Sequence, residues 1–407
     1  MRILYLTIDN INDHVILAQT FPFLGRLATL PGIDGIDLFA LKKDRGDRYR
    51  SSLPSAAIRI RTGNNYGIWH PVTLFHLARL ALIAWWLSRR GTVLIGRNPM
   101  SLLCLAPAAL WRTNRLVLDY RGLLSEEYVL QRKIAKRGWM HRLLRRLEGW
   151  ALRRADLILC VSERLSRRAL RWRPESAGKI LVVPCCYDPQ LAKRDDRRVQ
   201  QFRQEFGLDP HRDFVLTYAG SLSAWNRPEA ILAVFRGFRA IHPRTRLLVL
   251  SGDLPAAQLT FGGEPGVILR TVPHGEIQNS LAVADLGLLL RERNSVNRVA
   301  SPVKFAEYLA CGLPVLISPG VGDFTDFVRA EQVGYVLEPG LSLARVVSEI
   351  RCNRLAFRAR CQEVAARSFD GDRYLSAYTR LVGTGQEPQG AASLSGGGAP
   401  PHQVRSR

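Results

Sequence analysis

Along most of this chain, uninterrupted apolar runs alternate with segments whose apolar positions recur every three or four residues. The runs are ILYLTI (3–8), TVLIG (92–96), RLVLDY (115–120), DLILCVS (156–162) and KILVVP (179–184), then FVLTYAG (214–220), RLLVLSG (246–252), GVILRTV (266–272), DLGLLL (285–290) and PVLIS (314–318). Runs this short and apolar suit strands covered on both faces, as in parallel sheets. Helical patterns such as MHRLLRRLEGWALRRA (140–155) and PEAILAVFRGFRAI (228–241) separate them. Strand and helix in alternation predict an α/β protein wound with right-handed crossovers.

The alternation breaks between 188 and 212, where the chain becomes charged and loses strand character. A length of 407 residues calls for two cores rather than one. The break is therefore read as the junction between two sheet-bearing domains, 1–200 and 201–368. A last helix within 369–382 follows the second sheet, and 383–407, with six glycines and three prolines, predicts a disordered tail. The most apolar helical stretch, PVTLFHLARLALIAWWL (71–87), has seventeen residues interrupted by His76 and Arg79. A membrane span needs about twenty apolar residues, so a buried helix is expected here.

Composition is globular, with 47% hydrophobic and 23% charged residues, but the net charge of +23 needs a polyanionic partner: nucleic acid, an anionic membrane face or phosphorylated ligands. Residues 131–173 hold fourteen Lys and Arg against three acids. Within them, WMHRLLRRLEGWALRRA (139–155) sets Trp139, Met140, Leu143, Leu144 and Leu147 on one side and Arg142, Arg145, Arg146 and Arg153 on the other. The apolar stripe is expected to pack on the chain's own sheet. The arginine face is left for anionic lipid, at about 1 kcal/mol per charge near such a surface. No helix-turn-helix, zinc-finger or RNP signature is present, and aromatics do not interleave with the basic run, so a nucleic-acid-binding protein is the weaker alternative. Seven scattered cysteines without a CxxC pair read as reduced thiols of a cytosolic protein, not as a disulfide frame or zinc site. The start, MRILYLTI, reads as a strand from its first residue rather than a signal peptide.

The chemistry concentrates in ASPVKFAEYLACGLPVL (300–316). Ser301 and Pro302 read as a helix start, serine capping the free amides and proline fitting the first turn. Such amides face an anion with the positive end of the helix dipole. Lys304 adds a full charge, and Glu307, three residues on, lies on the same face. A cation for phosphate and a carboxylate for ribose make a nucleotide site. A capped helix with a Lys304–Glu307 salt bridge is the plainer reading of the same spacing.

The stretch resembles the donor-site signature of retaining GT-B glycosyltransferases of family 4 (group 1). Four further segments are similar in order: LEGWALRRADLILCVSERL (147–165), KILVVPCCYD (179–188), FVLTYAGSLSAWN (214–226) and VPHGEIQNSLAVADLGLLL (272–290). The resemblance implies a GT-B fold, two Rossmann-like doubly wound parallel-sheet domains facing across a cleft. The N-terminal domain would take the acceptor and the C-terminal one the nucleotide-sugar, with the 369–382 helix returning toward the N-terminal domain. Glu307 would bond the ribose. Ser301, Pro302, Val303 and Lys304 would border the diphosphate, with Gly220, Ser221 and Arg227 in the glycine loop. Pro273 and His274 would border the base, although His274 also reads as a structural loop histidine.

The sequence departs from the family pattern at three places. Many relatives carry a second glutamate eight positions before the first, where this chain has Val299. The family's Arg/Lys pair after the glycine loop is reduced to Arg227, so Lys304 is expected to take part of the phosphate charge. Cys185 and Cys186 replace the Asn-Gly of the Pro-Asn-Gly-x-Asp turn. On the acceptor side, VLDYRGLLSEEY (117–128) bunches Asp119, Arg121, Glu126 and Glu127 beyond a strand end, where open α/β sheets bind ligands. Asp119 and Arg121 are the catalytic candidates there, and His14 matches a sugar-proximal position loosely.

The implied activity is metal-independent, hexosyltransferase-type transfer with retained configuration and no cofactor. The acceptor would be lipid-linked or a polysaccharide, in cell-surface glycan synthesis at the inner membrane face. No DxD pair lies in a plausible metal setting, and Asp195-Asp196 sits in the charged junction. A non-catalytic GT-B relative and a GT-B epimerase are the competing readings within the fold.

Overall fold

Strands apolar on both faces need helices above and below them, and in a computed structural model the chain supplies these in two lobes. The structure describes residues 1–13, 15–43, 49, 55–67, 70–110, 114–189, 194–222 and 226–383. His14, Ser223–Trp225 of the glycine loop and the expected tail from 384 onward lie outside the described residues.

The first lobe carries β1 (Arg2–Asn10), β2 (Gly35–Lys42), β3 (Ile58–Asn64), β4 (Val93–Gly96), β5 (Arg115–Tyr120), β6 (Leu157–Cys160) and β7 (Ile180–Val182), with α1 (Phe21–Ala28), α2 (Pro71–Leu87), α3 (Pro99–Leu110), α4 (Leu124–Leu130), α5 (Trp139–Arg154) and α6 (Glu163–Trp172). All seven strands run parallel in the order β3-β2-β1-β4-β5-β6-β7. Helices α2, α3, α5 and α6 cover one face through Leu77, Leu102, Leu152 and Leu165, and α1 covers the other through Phe23 and Leu24.

The second lobe opens with α7 (Asp196–Glu205) and continues through β8 (Phe214–Ala219), α8 (Pro228–Ile241), β9 (Thr245–Leu250), α9 (Leu254–Phe261), β10 (Val267–Arg270), α10 (Ile277–Leu281), β11 (Leu286–Leu289), α11 (Val303–Ala310), β12 (Val315–Ile317), α12 (Phe324–Glu331), β13 (Gly334–Val336), α13 (Leu343–Cys352) and α14 (Arg354–Ser368). Its six parallel strands are ordered β10-β9-β8-β11-β12-β13. The last helix, α15 (Leu375–Val382), buries Tyr378 and Leu381 against the first lobe's sheet.

Three expectations are corrected. A boundary at 200 would cut α7, whose Val199 and Phe202 lie in the second lobe's core, so the passage between lobes precedes that helix. Asp195 caps α7 by accepting the N–H groups of Arg197 and Arg198. Helix α2 is buried on one side only. Thr73, Leu77, Leu80 and Ala84 face inward, while Phe75, Leu82 and Trp86 are 66%, 65% and 75% exposed. Ser301 does not cap α11, which starts at Val303 without a side-chain cap. Its hydroxyl instead accepts the Cys185 N–H across the lobe seam at 3.0 Å.

That bond belongs to a set joining the lobes. Ser162 caps α6 through the Leu165 N–H and donates to the Val299 carbonyl at 2.7 Å. The Asp323 carboxylate accepts the N–H groups of Glu163 and Arg164, and the Tyr187 N–H reaches the Phe369 carbonyl.

Within the second lobe, α11 is fixed by Tyr308. Its hydroxyl accepts the Ala219 N–H at 2.9 Å. Its ring lies over Gly287 of β11, where an added Cβ would come within 2.5 Å of the ring. Gly287→Ala is expected to destabilise the protein by about 1–3 kcal/mol through overpacking. Denaturant unfolding measures this, and a loss below a few tenths of a kcal/mol would remove Tyr308 from this role.

Candidate functional site

The site begins where β8 ends. Gly220 has φ of +127°, a region that L side chains rarely adopt, and a Cβ there would stand 3.0 Å from the Lys304 Nζ. Gly220 and Ser221 are exposed at the sheet's carboxyl edge, where open α/β sheets bind ligands. The buried Asn226 and the Tyr218 hydroxyl both donate to the Ser221 carbonyl, cinching the loop. Arg227 follows, exposed and in the left-handed region at φ 49°, immediately before α8.

Lys304 and Glu307 both stand half-buried on α11. The Lys304 ammonium donates to the Tyr218 hydroxyl at 3.1 Å and lies 4.2 Å from that ring's centre. The Lys304–Glu307 salt bridge of the plainer reading is not formed. The Glu307 carboxylate makes no hydrogen bond or ion pair among the described residues. Burial, and then the Arg291 charge, bring Lys304 down to about 7. Burial pushes Glu307 up to about 7 against the opposing effect of Lys304. A cation and a carboxylate that solvate poorly and do not pair are poised for a ligand carrying both an anion and a hydroxyl.

The first turn of α11 contributes less than its sequence suggested. Ser301 and Pro302 are buried at the seam, and Val303 packs on the first lobe's core. The free positive charge comes from side chains. One of these, Arg291, was missed by sequence reasoning. It follows β11, donates from Nη1 to Asn297 Oδ1 at 3.0 Å, and keeps a buried Nε without a partner. A cation directly after the DLGLLL run, beside the central strand, was the available signal.

Pro273 is exposed beyond edge strand β10, and His274 opens a short helical turn. Val299 is buried at the seam, so an apolar side chain stands where many relatives carry a carboxylate.

On the acceptor side, Asp119 and Arg121 form an internal clasp. Asp119 is fully buried, accepting from the Tyr5 hydroxyl at 2.7 Å and the Arg121 Nε at 2.6 Å. Arg121 turns toward Phe23 and Cys185, a recess also lined by Tyr378 of α15. The pair is thus held by Tyr5, Cys185 and each other, and no hydrogen bond or ion pair among the described residues joins it to Lys304 or Glu307. The groups left at the strand ends are Asp9 and Glu127. Asp9 accepts from the buried Arg97 at 3.0 Å. Glu127, raised to about 7 by burial and by Asp9, fits against Gly122, which has no side chain to displace it. Glu126 accepts from Ser295 of the other lobe.

Two parallel-sheet α/β lobes, a glycine loop after the second lobe's central strand and an unpaired Lys/Glu couple on the helix beside it define the GT-B class. Residues 36–191 match the model of Glycosyltransferase Family 4. A 2-deoxystreptamine glucosyltransferase from Streptomyces kanamyceticus is 27% identical over 220 residues. That alignment covers 52% of this chain and 55% of the relative, so the chain spans about half the length of the curated protein it matches. Among solved structures, Anabaena HepE in complex with UDP-glucose superposes with a TM-score of 0.68 at 17% identity, covering 94% of this chain and 100% of that one. Sucrose-phosphate synthase from Thermosynechococcus elongatus gives 0.71 at 16% identity, covering 94% and 98%.

The raised Glu307 has a consequence for stability. The folded chain keeps a proton on it that the unfolded chain releases near 4.5, so this residue's contribution is lost as pH rises from about 4.5 through about 7. Glu307→Gln is expected to leave the melting temperature unchanged at pH 4.5. At pH 8 it should raise ligand-free stability by about 1 kcal/mol, discounted for partial exposure. Thermal melts at the two pH values decide it, and equal effects at both would mean that Glu307 is not strained.

Proposed function

We propose that the chain transfers a hexose from a nucleotide-sugar to an acceptor hydroxyl, with retained anomeric configuration. The observation that carries this reading is the unpaired Glu307 one turn from Lys304, whose ammonium stands against Gly220 and within reach of the Arg291 charge. The cations stand where a diphosphate would approach the backbone, and the carboxylate stands where a ribose hydroxyl would donate. As the bond from the anomeric carbon to the diphosphate oxygen breaks, Lys304 and Arg291 take up the growing negative charge. The acceptor oxygen bonds the same face, and its proton passes to the departing diphosphate. The protein's own cations serve the leaving group in this scheme, so activity is expected to survive chelation. The donor complex of HepE and the name of the Streptomyces relative make UDP-glucose the first donor to test.

Buried Val299 favours one competing reading, a non-catalytic relative that still binds nucleotide. Calorimetry with UDP, GDP and ADP, followed by a transfer assay, separates the two. Glu307→Ala is expected to weaken nucleotide binding by about 10–100-fold, the value of a hydrogen bond to a charged group. Lys304→Met should lower turnover by about 10²–10³-fold. Wild-type binding without any transfer would leave the non-catalytic reading standing, and undiminished activity in Glu307→Ala would remove the donor assignment.

The acceptor in this proposal is lipid-linked or a glycan reached at an anionic membrane face. Among the described residues no helix is long and apolar enough to cross a membrane. The outer stripe of α2, with Val72, Phe75, Leu82 and Trp86 exposed around Arg79, suits shallow insertion. On α5, Trp139 is 69% exposed among its arginines. Sedimentation with phosphatidylglycerol vesicles should retain the wild type at low salt and release the Phe75→Ser/Trp86→Ser double variant. Equal partitioning of the two would take α2 out of the contact.

A further inference from the structure

A concentration of positive charge lies outside both α5 and the glycine loop. It lines a cavity of about 300 Å³ at the lobe seam, walled by Arg164, Arg167, Arg168 and Arg171 of α6 and by Arg298, Ser295 and Val299 of the other lobe. The spacing 164, 167, 168, 171 puts four guanidinium groups on one helix face, and like charges at such spacing are destabilising.

Acids answer only part of this charge. Asp323 and Asp326 engage Arg164. Arg167, Arg171 and Arg298 are exposed and make no side-chain hydrogen bond or ion pair among the described residues. Arg168 is half-buried with its Nε shut from solvent and without a partner. All five cations are arginine, the side chain whose planar fork matches phosphate oxygens in pairs.

The cavity's position narrows the occupant. One wall comes from each lobe, and Val299 and Arg298 lie five and six residues before Lys304. Lys304, Glu307 and Gly220 do not line it. We propose that this cavity holds a phosphate or diphosphate group carried by the acceptor, close to the hydroxyl that receives the sugar. The proposal rests on the transferase reading and specifies its acceptor class: a phosphorylated or diphosphate-linked glycan rather than a neutral one. Arg145 of α5 stacks 4.7 Å over Trp172 at the end of α6, adding a further cation at that end of the helix.

The test uses the full chain and inorganic pyrophosphate as probe, titrated calorimetrically into protein saturated with the nucleoside diphosphate it binds best. Arg167→Gln/Arg171→Gln removes two exposed cations without touching the Arg164 bridges. Arg59→Gln/Arg373→Gln removes equal charge from exposed positions outside any site. Pyrophosphate affinity should fall tenfold or more in the first pair and less than twofold in the second, with nucleotide affinity unchanged in both. In transfer assays, the first pair should raise KM at least tenfold for a short-chain alkyl diphosphate-linked sugar or for a soluble sugar phosphate. Whichever acceptor wild type prefers names the phosphate's source, and KM for the matching neutral alkyl glycoside should not move.

Equal pyrophosphate losses in both pairs would reduce the cavity to bulk charge. A parallel loss of nucleotide affinity would assign it to the donor, and an equal effect on the neutral glycoside would remove the phosphate; each overturns the proposal. If no nucleotide binds at all, the transferase reading fails alone, because the pyrophosphate titration still reads the arginines.

Discussion

The hydrogen bond from the Ala219 N–H to the Tyr308 hydroxyl sets the geometry of the candidate site. It ties the end of the central strand, one residue before the glycine loop, to the helix that carries Lys304 and Glu307. A buried backbone N–H at a strand end costs free energy unless it is paired. The sheet cannot pair this one, so the helix does, and Gly287 leaves the space for the ring to arrive. Lys304 then stands against Gly220 because two separate elements are pinned at one point. The left-handed backbone of Gly220 and the tight approach of the ammonium are consequences of that single contact.

Once α11 is held there, its charged groups face poor solvation without relief from each other. A direct Lys304–Glu307 ion pair would have satisfied both. The chain instead aims the ammonium at Tyr218 and leaves the carboxylate without a hydrogen bond or ion pair among the described residues, and burial disfavours its charged form. The same logic extends to Arg291, whose buried Nε lacks a partner, and to the arginines of α6. Folding stability is reduced locally where ligand charge would be received, a common arrangement at functional sites.

Much of the fold was legible because parallel strands buried on both faces leave nearly pure apolar runs. The strands that escaped notice show why others were not. β3 reads IRIRTGN and alternates because it is an edge strand. β2 is interrupted by Asp37, buried and paired with Arg2 and Arg61. β13 is only three residues long. At the site, spacing put Lys304 and Glu307 on one helix face but left a plain salt bridge equally open, and the resemblance to family 4 pointed to the nucleotide reading. Ser301 was misread because its partner, Cys185, is 116 residues away in the other lobe. A cap and a seam bond look identical in one dimension. Asp119 and Arg121 stood out as charges at a strand end, yet Tyr5 and each other absorb them. Two further carboxylates, Asp9 on β1 and Glu127 on α4, come together from elements far apart in sequence.

The seam sets how far the two sites can act independently. Val299 is held by Ser162 through its carbonyl, and Ser301 by Cys185, so the segment leading into α11 is fastened to the first lobe at two points. Any rotation of the lobes must therefore move the Arg298–Ser301 segment relative to either α6 or the glycine loop. The segment itself supplies one wall of the arginine cavity, and Lys304 and Glu307 lie a few residues further on. An anion that draws Arg298 toward the arginines of α6 would pull on the same short stretch of backbone that orients Lys304. The charge excess that a reading of composition assigns to a membrane or nucleic acid thus has a third place to act. At the seam, an acceptor's negative charge would help set the geometry in which the donor's negative charge departs.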